Sequence, residues 1–180
     1  MDQMEQFLDN LCSSVDVSLM PGNNDISSSF YPQQPFSPMM IGSLSHVDNL
    51  HLATNPHRFS ISGVNVLGTA GQNIRDMMNY STFDNELEAL EATLTMSHIA
   101  PTAPDTLRCF PFTKRDPLII EESPHIYYST NCTEYSSKLI NKVNGSVRLV
   151  TVPSFPETGA IVLVDIHSLE SFLFQINIRE

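Results

Sequence analysis

Apolar residues first recur at helical spacing in Met4, Phe7, Leu8 and Leu11, so residues 2–13 read as an amphipathic helix. The pattern then changes to the alternation Val15-Asp16-Val17-Ser18-Leu19-Met20, a strand that Pro21-Gly22 ends abruptly. Pro32, Pro35 and Pro38, among many Ser, Asn and Gln, make residues 22–44 a long loop with a short helix from Pro38 to Leu44. Phe30, Tyr31 and Phe36 are too many aromatics for a free linker, so this loop is expected to lie against the domain. Strands are expected at 50–54, 58–62 and 64–68, the last two joined through Ser62-Gly63. Residues 71–79 read as a helix with Ile74, Met77 and Met78 inward. Ser81-Thr82-Phe83-Asp84 has the form of a capping box opening a second helix, whose buried stripe is Leu87, Leu90 and Leu94 with Ile99 beyond.

Pro101, Pro104 and Pro111 force an irregular passage. After it the period falls to two, giving expected strands at 118–121, 126–129, 137–140, 147–152, 161–166 and 172–178. Asn144-Gly145 is a hairpin signal between two of these. The last three strands fit a meander in one sheet of a two-sheet sandwich. No internal repeat interrupts the pattern. The chain reads as one α/β domain with helices packed outside strands.

Composition narrows the function classes. With 41% hydrophobic residues, no long uncharged apolar run and no charged-then-apolar leader, the expectation is a soluble protein without signal peptide or membrane span. Cys12, Cys109 and Cys132 are odd in number and far apart, which suits a reducing compartment and neither a disulfide frame nor a zinc site. The formal charge is −11 with nine Lys plus Arg, a poor match to a phosphate backbone, so a partner is expected to hold any nucleic acid.

The first strand delivers Asn23, Asn24 and Asp25 at its carboxyl end, where α/β sheets place ligands. Gly22-Asn23-Asn24-Asp25 is one residue from the Gly-Asn-His-Asp motif of calcineurin-like metallophosphoesterases. In that family the Asn gives its oxygen to a metal and the His stabilises the phosphoryl group in flight. Asn24 stands at the His position and cannot carry a proton near neutral pH.

Further strings carry a second, closer resemblance. Met20 to Asp25, Leu67-Gly68-Thr69-Ala70-Gly71-Gln72-Asn73, His98 to Leu107 and Leu149-Val150-Thr151-Val152-Pro153 are similar to the small, non-catalytic subunit family of DNA polymerase delta. The resemblance runs along essentially the whole chain, and the His98–Leu107 string is its most specific part. It implies a partial calcineurin-like metallophosphoesterase fold, a two-sheet sandwich flanked by helices, with the N-terminal strands and an oligonucleotide-binding domain missing. Residues 1–180 would then be the C-terminal portion of a catalytically inactive phosphoesterase-like domain.

A two-metal phosphoesterase holds its cations with carboxylates and imidazoles from several loops. Its Asp-x-His and Gly-Asp-x-x-Asp motifs have no counterpart here. The lone His of active relatives corresponds to Ala70, and their Gly-His-x-His falls on Thr130-Asn131-Cys132-Thr133, with Asn131 and Thr133 in place of both histidines. Asn23 survives alone, and one neutral amide does not retain a divalent ion. No catalytic residue, metal ligand or cofactor is assigned. Asn23, Asn24, Asp25, Ala70, Asn131 and Thr133 are positions of a vestigial motif.

The remaining signals are plainer. His46, His51, His57, His98, His125 and His167 show no paired helical spacing, although His125 has Glu121 and Glu122 nearby and His46 precedes Asp48. They read as ordinary histidines. Cys132 with His125 suggests a Cys-His pair, but a small buried thiol is the preferred reading. Gly68-x-x-Gly71 between a strand and a helix has the outline of a phosphate cradle, and a glycine pair alone does not establish one. The methionines and the loop aromatics serve packing or an adaptable partner surface, and both readings stand.

The resemblance implies a nuclear scaffold that joins two proteins, with the sliding clamp and DNA reached only indirectly and no membrane contact. One partner is the C-terminal cysteine-rich region of the polymerase delta catalytic subunit, the other its third subunit. The Pro-rich loop and the two helical stretches are the expected contacts. A degenerate phosphodiesterase and a truncated stand-alone interaction protein are the alternatives. The resemblance also leaves Val15–Met20 on an open sheet edge, and Leu149, Val162 and Leu163 without an opposing sheet.

Overall fold

The computed structural model describes residues 2–142 and 145–176. Helix α1 (Asp2–Cys12) turns Leu8 and Cys12 inward and leaves Met4, Phe7 and Leu11 exposed. It packs on two short 3-10 turns, Pro38–Met40 and Gly42–His46, where Leu8, Ile41 and Leu44 form a small core. Strand β1 (Val17–Leu19) lies on that core and pairs in parallel with β2 (Leu50–Leu52). The first strand is therefore shorter than expected, and with β2 as its neighbour in a two-stranded sheet it still presents one open edge.

The main sheet has five strands: β3 (His57–Ile61), β4 (Val64–Thr69), β5 (Ile126–Cys132), β6 (Ser136–Lys142) and β7 (Gly145–Pro153). Their order is β3-β4-β5-β7-β6. The three central strands are parallel and the two edges antiparallel. The β6–β7 pairing runs to Lys142 opposite Gly145, as the hairpin signal requires, although Asn144 itself lies outside the described residues. Helices α2 (Gln72–Tyr80) and α3 (Glu86–Thr95) connect β4 to β5. Ile74, Met77, Leu90 and Leu94 from these helices meet Leu67, Tyr127, Val147 and Leu149 in the main core. Leu149 is thus fully buried, which corrects the expectation that it lacked cover.

Three other elements depart from the sequence reading. Residues 118–121 form no ladder strand. Leu118 and Ile120 are buried and Ile119 exposed, so the alternation is real, but it satisfies only a single bridge from Ile119 to His98. Helix α3 is capped one turn later than Ser81–Asp84: Asn85 accepts from the Glu88 N–H at 2.9 Å, while the Glu88 carboxylate accepts from the Asp84 N–H. The C-terminal meander is divided. Strand β7 belongs to the main sheet, whereas β8 (Ala160–Val164) and β9 (Ser171–Gln175) form a separate hairpin after the short helix α4 (Phe155–Thr158). The part of the last expected strand beyond residue 176 lies outside the described residues.

The Pro-rich loop lies against the domain, as its aromatics predict. Tyr31 is buried and bridges to Cys109, and the Phe30 ring sits 5.3 Å from that of Phe110. The loop is fixed by amides. Gln33 and Asn55 exchange backbone hydrogen bonds at 2.7 and 3.1 Å. The fully buried Asn55 side chain donates to Gln33 Oε1 at 2.7 Å and to Gln72 Oε1 at 2.9 Å, and accepts from the Ala70 N–H at 3.1 Å. Gln33 Nε2 donates onward to the carbonyls of Gly22 and Ser28, both at 3.0 Å.

Two outcomes follow for stability. Asn55→Ala strands the buried Ala70 N–H, while Gln33 Oε1 keeps the Gln72 Nε2 donor at 2.7 Å and Gln72 borders the cavity, so one such loss of about 1–3 kcal/mol should lower the urea midpoint by the equivalent of about 2 kcal/mol. The Tyr127 phenol, fully buried and bonded to Thr93 Oγ1 at 3.0 Å, is pushed up to about 12 by burial. An unfolded tyrosine ionises near about 10. The unfolded state therefore loses protons first, and stability falls as pH rises from about 10 through about 12. Urea titrations across that window should show the fall, and Tyr127→Phe should make it shallower.

Candidate functional site

The carboxyl ends of β1, β4 and β5 open on one cavity of about 870 Å³. Asn23, Asn24, Asp25, Ala70, Asn131 and Thr133 all line it, so residues more than a hundred positions apart share one site. Each loop has a local reason for its place. After β1, Asp25 Oδ2 accepts from the Gly22 N–H at 2.7 Å, closing a tight turn that leaves Asn23 and Asn24 exposed. After β4, Gly71 adopts φ +89° to start α2, and a Cβ there would lie 2.2 Å from the Thr130 carbonyl oxygen, so only glycine fits. In β5 the register with β7 shifts between Ser129 and Cys132, and Asn131 takes φ +56°. Residues 130–132 are thus part of a bulged strand and not of a loop beyond it, which corrects the sequence reading.

The side chains at several of these positions bond to other groups of the protein itself. Asn131 Nδ2 donates to the Ala70 carbonyl at 3.0 Å. The Thr133 N–H and hydroxyl both donate to Glu86 Oε2, at 2.7 and 2.8 Å, and so tie the loop after β5 to the first residue of α3. Thr102 and Thr106 both donate to Asp76 Oδ2, the latter at 2.6 Å. Among uncharged residues such as Met78, Asn79, Leu107 and Ser154, the lining adds the carboxylates of Asp84, Glu134 and Glu157, and Arg75 is the lone cation among its described residues. The Arg75 guanidinium reaches the Asn131 carbonyl at 3.4 Å.

These donors do not fit a pair of divalent cations. Ala70 offers no ligand, Asn23 and Asn131 offer neutral amides, and the described lining contains no histidine. Among the described residues no group of three or more His, Cys, Asp or Glu is placed to hold a metal. The histidines are engaged elsewhere or exposed. His98 Nε2 pairs with Asp116 Oδ2 at 2.9 Å, His125 Nδ1 accepts from the Asn65 N–H at 2.9 Å, and His57 stacks on Phe59. His46, His51 and His167 are exposed.

His125 precedes β5 and Cys132 ends it, roughly 20 Å apart at strand spacing, so they form no nucleophilic pair. Cys132 is buried, and burial pushes its thiol up to about 12. The glycine pair of the cradle outline serves packing. The Tyr128 ring occupies the space of a Cβ on Gly68, and the Ala70 and Gly71 N–H groups are already taken by Asn55 Oδ1 and Thr69 Oγ1. Sequence reasoning missed Gln33, Asn55 and Gln72, which hold the loops in place, and Glu86, which anchors Thr133. Lone polar residues in loops carry no periodic signal that separates buried from solvated positions.

Comparison with known proteins agrees with these strings. A family model described as the DNA polymerase alpha/epsilon B-subunit matches residues 1–138. The DNA polymerase delta small subunit of Arabidopsis thaliana is 41% identical over 97% of this chain and 41% of its own length. DNA polymerase delta subunit 2 of Drosophila melanogaster is 39% identical over 93% of this chain and 39% of its length. The DNA polymerase delta small subunit of Saccharomyces cerevisiae is 32% identical over 98% and 42%. The chain therefore spans about two fifths of the length of these relatives. A model match over this much of the chain, with relatives at this identity, places the sequence in one family: the chain belongs to the DNA polymerase alpha/epsilon B-subunit family.

Proposed function

We propose that the chain is a non-catalytic, structural part of the replicative DNA polymerase delta complex, working in the nucleus. The relatives named above are small subunits of that polymerase, which supports an accessory role. The observation that carries the non-catalytic reading is the cavity itself. Six positions that correspond to the loops of a calcineurin-like phosphoesterase line it, and amide, methyl and hydroxyl groups stand where imidazoles would be. Residues 1–180 are read on this basis as part of a phosphoesterase-like domain whose former ligand loops now fasten β4, β5 and α3 together. The proposed partners are the cysteine-rich C-terminal region of the catalytic subunit and the third subunit, with DNA and the sliding clamp reached through them. A formal charge of −11 suits contact with basic protein segments better than contact with phosphate.

Isothermal titration of Mn²⁺ and Zn²⁺, run beside a bis-nitrophenyl phosphate assay, tests the chemistry. The expected result is neither stoichiometric binding nor turnover, and micromolar binding with metal-dependent hydrolysis would sink the non-catalytic reading. Asn24→His should restore neither, because a single imidazole beside neutral amides is too few ligands. Fluorescence anisotropy with single-stranded oligonucleotides at physiological salt should show only weak binding that vanishes as salt rises. Tight, saturable binding there would argue for a direct role on DNA.

A further inference from the structure

Two stretches far apart in sequence lie side by side as an extended ribbon at the Pro-rich loop. Tyr31 and Cys109 are bridged in parallel: the Tyr31 N–H donates to the Arg108 carbonyl at 2.8 Å, and the Phe110 N–H to the Tyr31 carbonyl at 3.1 Å. Successive side chains of such a ribbon point to opposite faces. Tyr31 is buried in the main core and Cys109 packs against it, so Phe30, Arg108 and Phe110 share the outer face. The Phe30 and Phe110 rings are 5.3 Å apart, and Phe112 follows edge-on at 6.3 Å from Phe110. Phe30 and Phe112 are 42 and 48% exposed, and Phe110 between them is half-buried. Three adjoining rings on a ribbon anchored to the core are a patch, not scattered surface apolarity. The patch is also a local reversal of charge. The chain has nine Lys plus Arg against twenty Asp plus Glu, yet Arg108, Lys114 and Arg115 fall in a run from 108 to 115 without a carboxylate. Arg115 is taken by Glu121 at 2.6 Å. Arg108 and Lys114 are exposed and form no ion pair among the described residues.

We propose that this patch docks an acidic, extended segment of a partner protein, with aromatic or aliphatic side chains against Phe30, Phe110 and Phe112 and carboxylates against Arg108 and Lys114. Charge complementarity selects the occupant. Two exposed cations on either side of a short run of rings match the one or two carboxylates of a short peptide. A nucleic-acid strand presents a phosphate at every step, and here the exposed carboxylates of Asp105 and Asp116 flank the cations. A second copy packed through the same face would set Arg108 and Lys114 against their own equivalents. The net charge of −11 does not prevent an acidic partner from binding, because charges more than about 8 Å away are largely screened at physiological ionic strength. Alternate side chains of an extended segment lie roughly 6.5 Å apart, close to the ring spacings of 5.3 and 6.3 Å. None of Phe30, Arg108, Phe110, Phe112 and Lys114 lines the cavity, so the patch stands apart from the question of catalysis.

Selection of random dodecapeptides displayed on phage against the full chain tests this. The expected result is enrichment of sequences that place aspartate or glutamate beside aromatic or large aliphatic residues. The leading synthetic peptide should bind with micromolar affinity by fluorescence anisotropy, weakening several-fold as NaCl rises from about 0.05 to about 0.5 M. Phe112→Ser, or Arg108→Ser with Lys114→Ser, should each lower that affinity about tenfold, while Phe7→Ser on the exposed side of α1 leaves it unchanged. Circular dichroism reports whether Phe112→Ser is folded, and if it is not, the double variant, which changes only exposed side chains, carries the test. Selected peptides without an acidic excess, equal binding when their carboxylates are replaced by amides, or binding indifferent to these variants would each overturn the proposal. So would tighter binding of an oligothymidylate that the same variants abolish, or a dimer of this chain that they convert to monomer.

Discussion

The interaction on which the molecule turns is the hydrogen-bonded set of amides around Asn55. A primary amide buried without partners is costly, and Asn55 is buried completely, so its neighbours must come to it. Three separate pieces of chain do so: the Pro-rich loop through Gln33, the turn after β4 through the Ala70 N–H, and the start of α2 through Gln72. Gln33 then reaches the Gly22 carbonyl and so fixes the turn after β1. Because the set is saturated, none of these segments can shift alone without leaving a donor or acceptor dry. The cavity at the strand ends is a consequence of this joint. It exists because loops with no regular structure of their own are tied at a common point.

The main sheet supplies the second half of that geometry. Parallel β4, β5 and β7 need cover on both faces, and α2 with α3 provide it on one. The helices are placed by close backbone approach at Gly71 and by the reciprocal cap between Asn85 and Glu88. Both features bring α2 and α3 to the rim of the cavity, where Asp76 and Glu86 commit their carboxylates to threonine donors. The acidic character of the site is therefore partly neutralised by internal bonds and is not simply an open negative field.

Much of the fold was legible because it is periodic. The stripes of α2 and α3 and the short apolar runs of β3 to β7 mark regular elements that the structure places within a few residues of expectation, whereas the α1 helix is where expected but buries only Leu8 of its four stripe residues. Partnership was not legible. Residues 118–120 alternate as a strand does, but whether an extended segment finds a ladder depends on distant chain, and here it found one bridge. The division of the last strands between two sheets is equally non-local. For the site, the motif strings located Asn23, Ala70 and Asn131, since they sit where strands end. Gln33 and Asn55 escaped notice, because a polar residue in a loop looks the same in sequence whether it meets water or another amide.

Ala70 illustrates what such saturation does to the room for substitution. Its N–H is held by Asn55 and its carbonyl by Asn131, so both backbone groups of that residue are committed to amides on other loops. A side chain at position 131 with no donor to spare would release the Ala70 carbonyl and loosen the bulge in β5. One at position 70 would have to enter a turn already closed by Gly71 against Thr130. Chemistry at this rim is coupled to architecture, because a substitution that removes either amide leaves a backbone group of Ala70 without its partner. The loops therefore tolerate exchange of the exposed side chains around them more readily than exchange of the residues that close them.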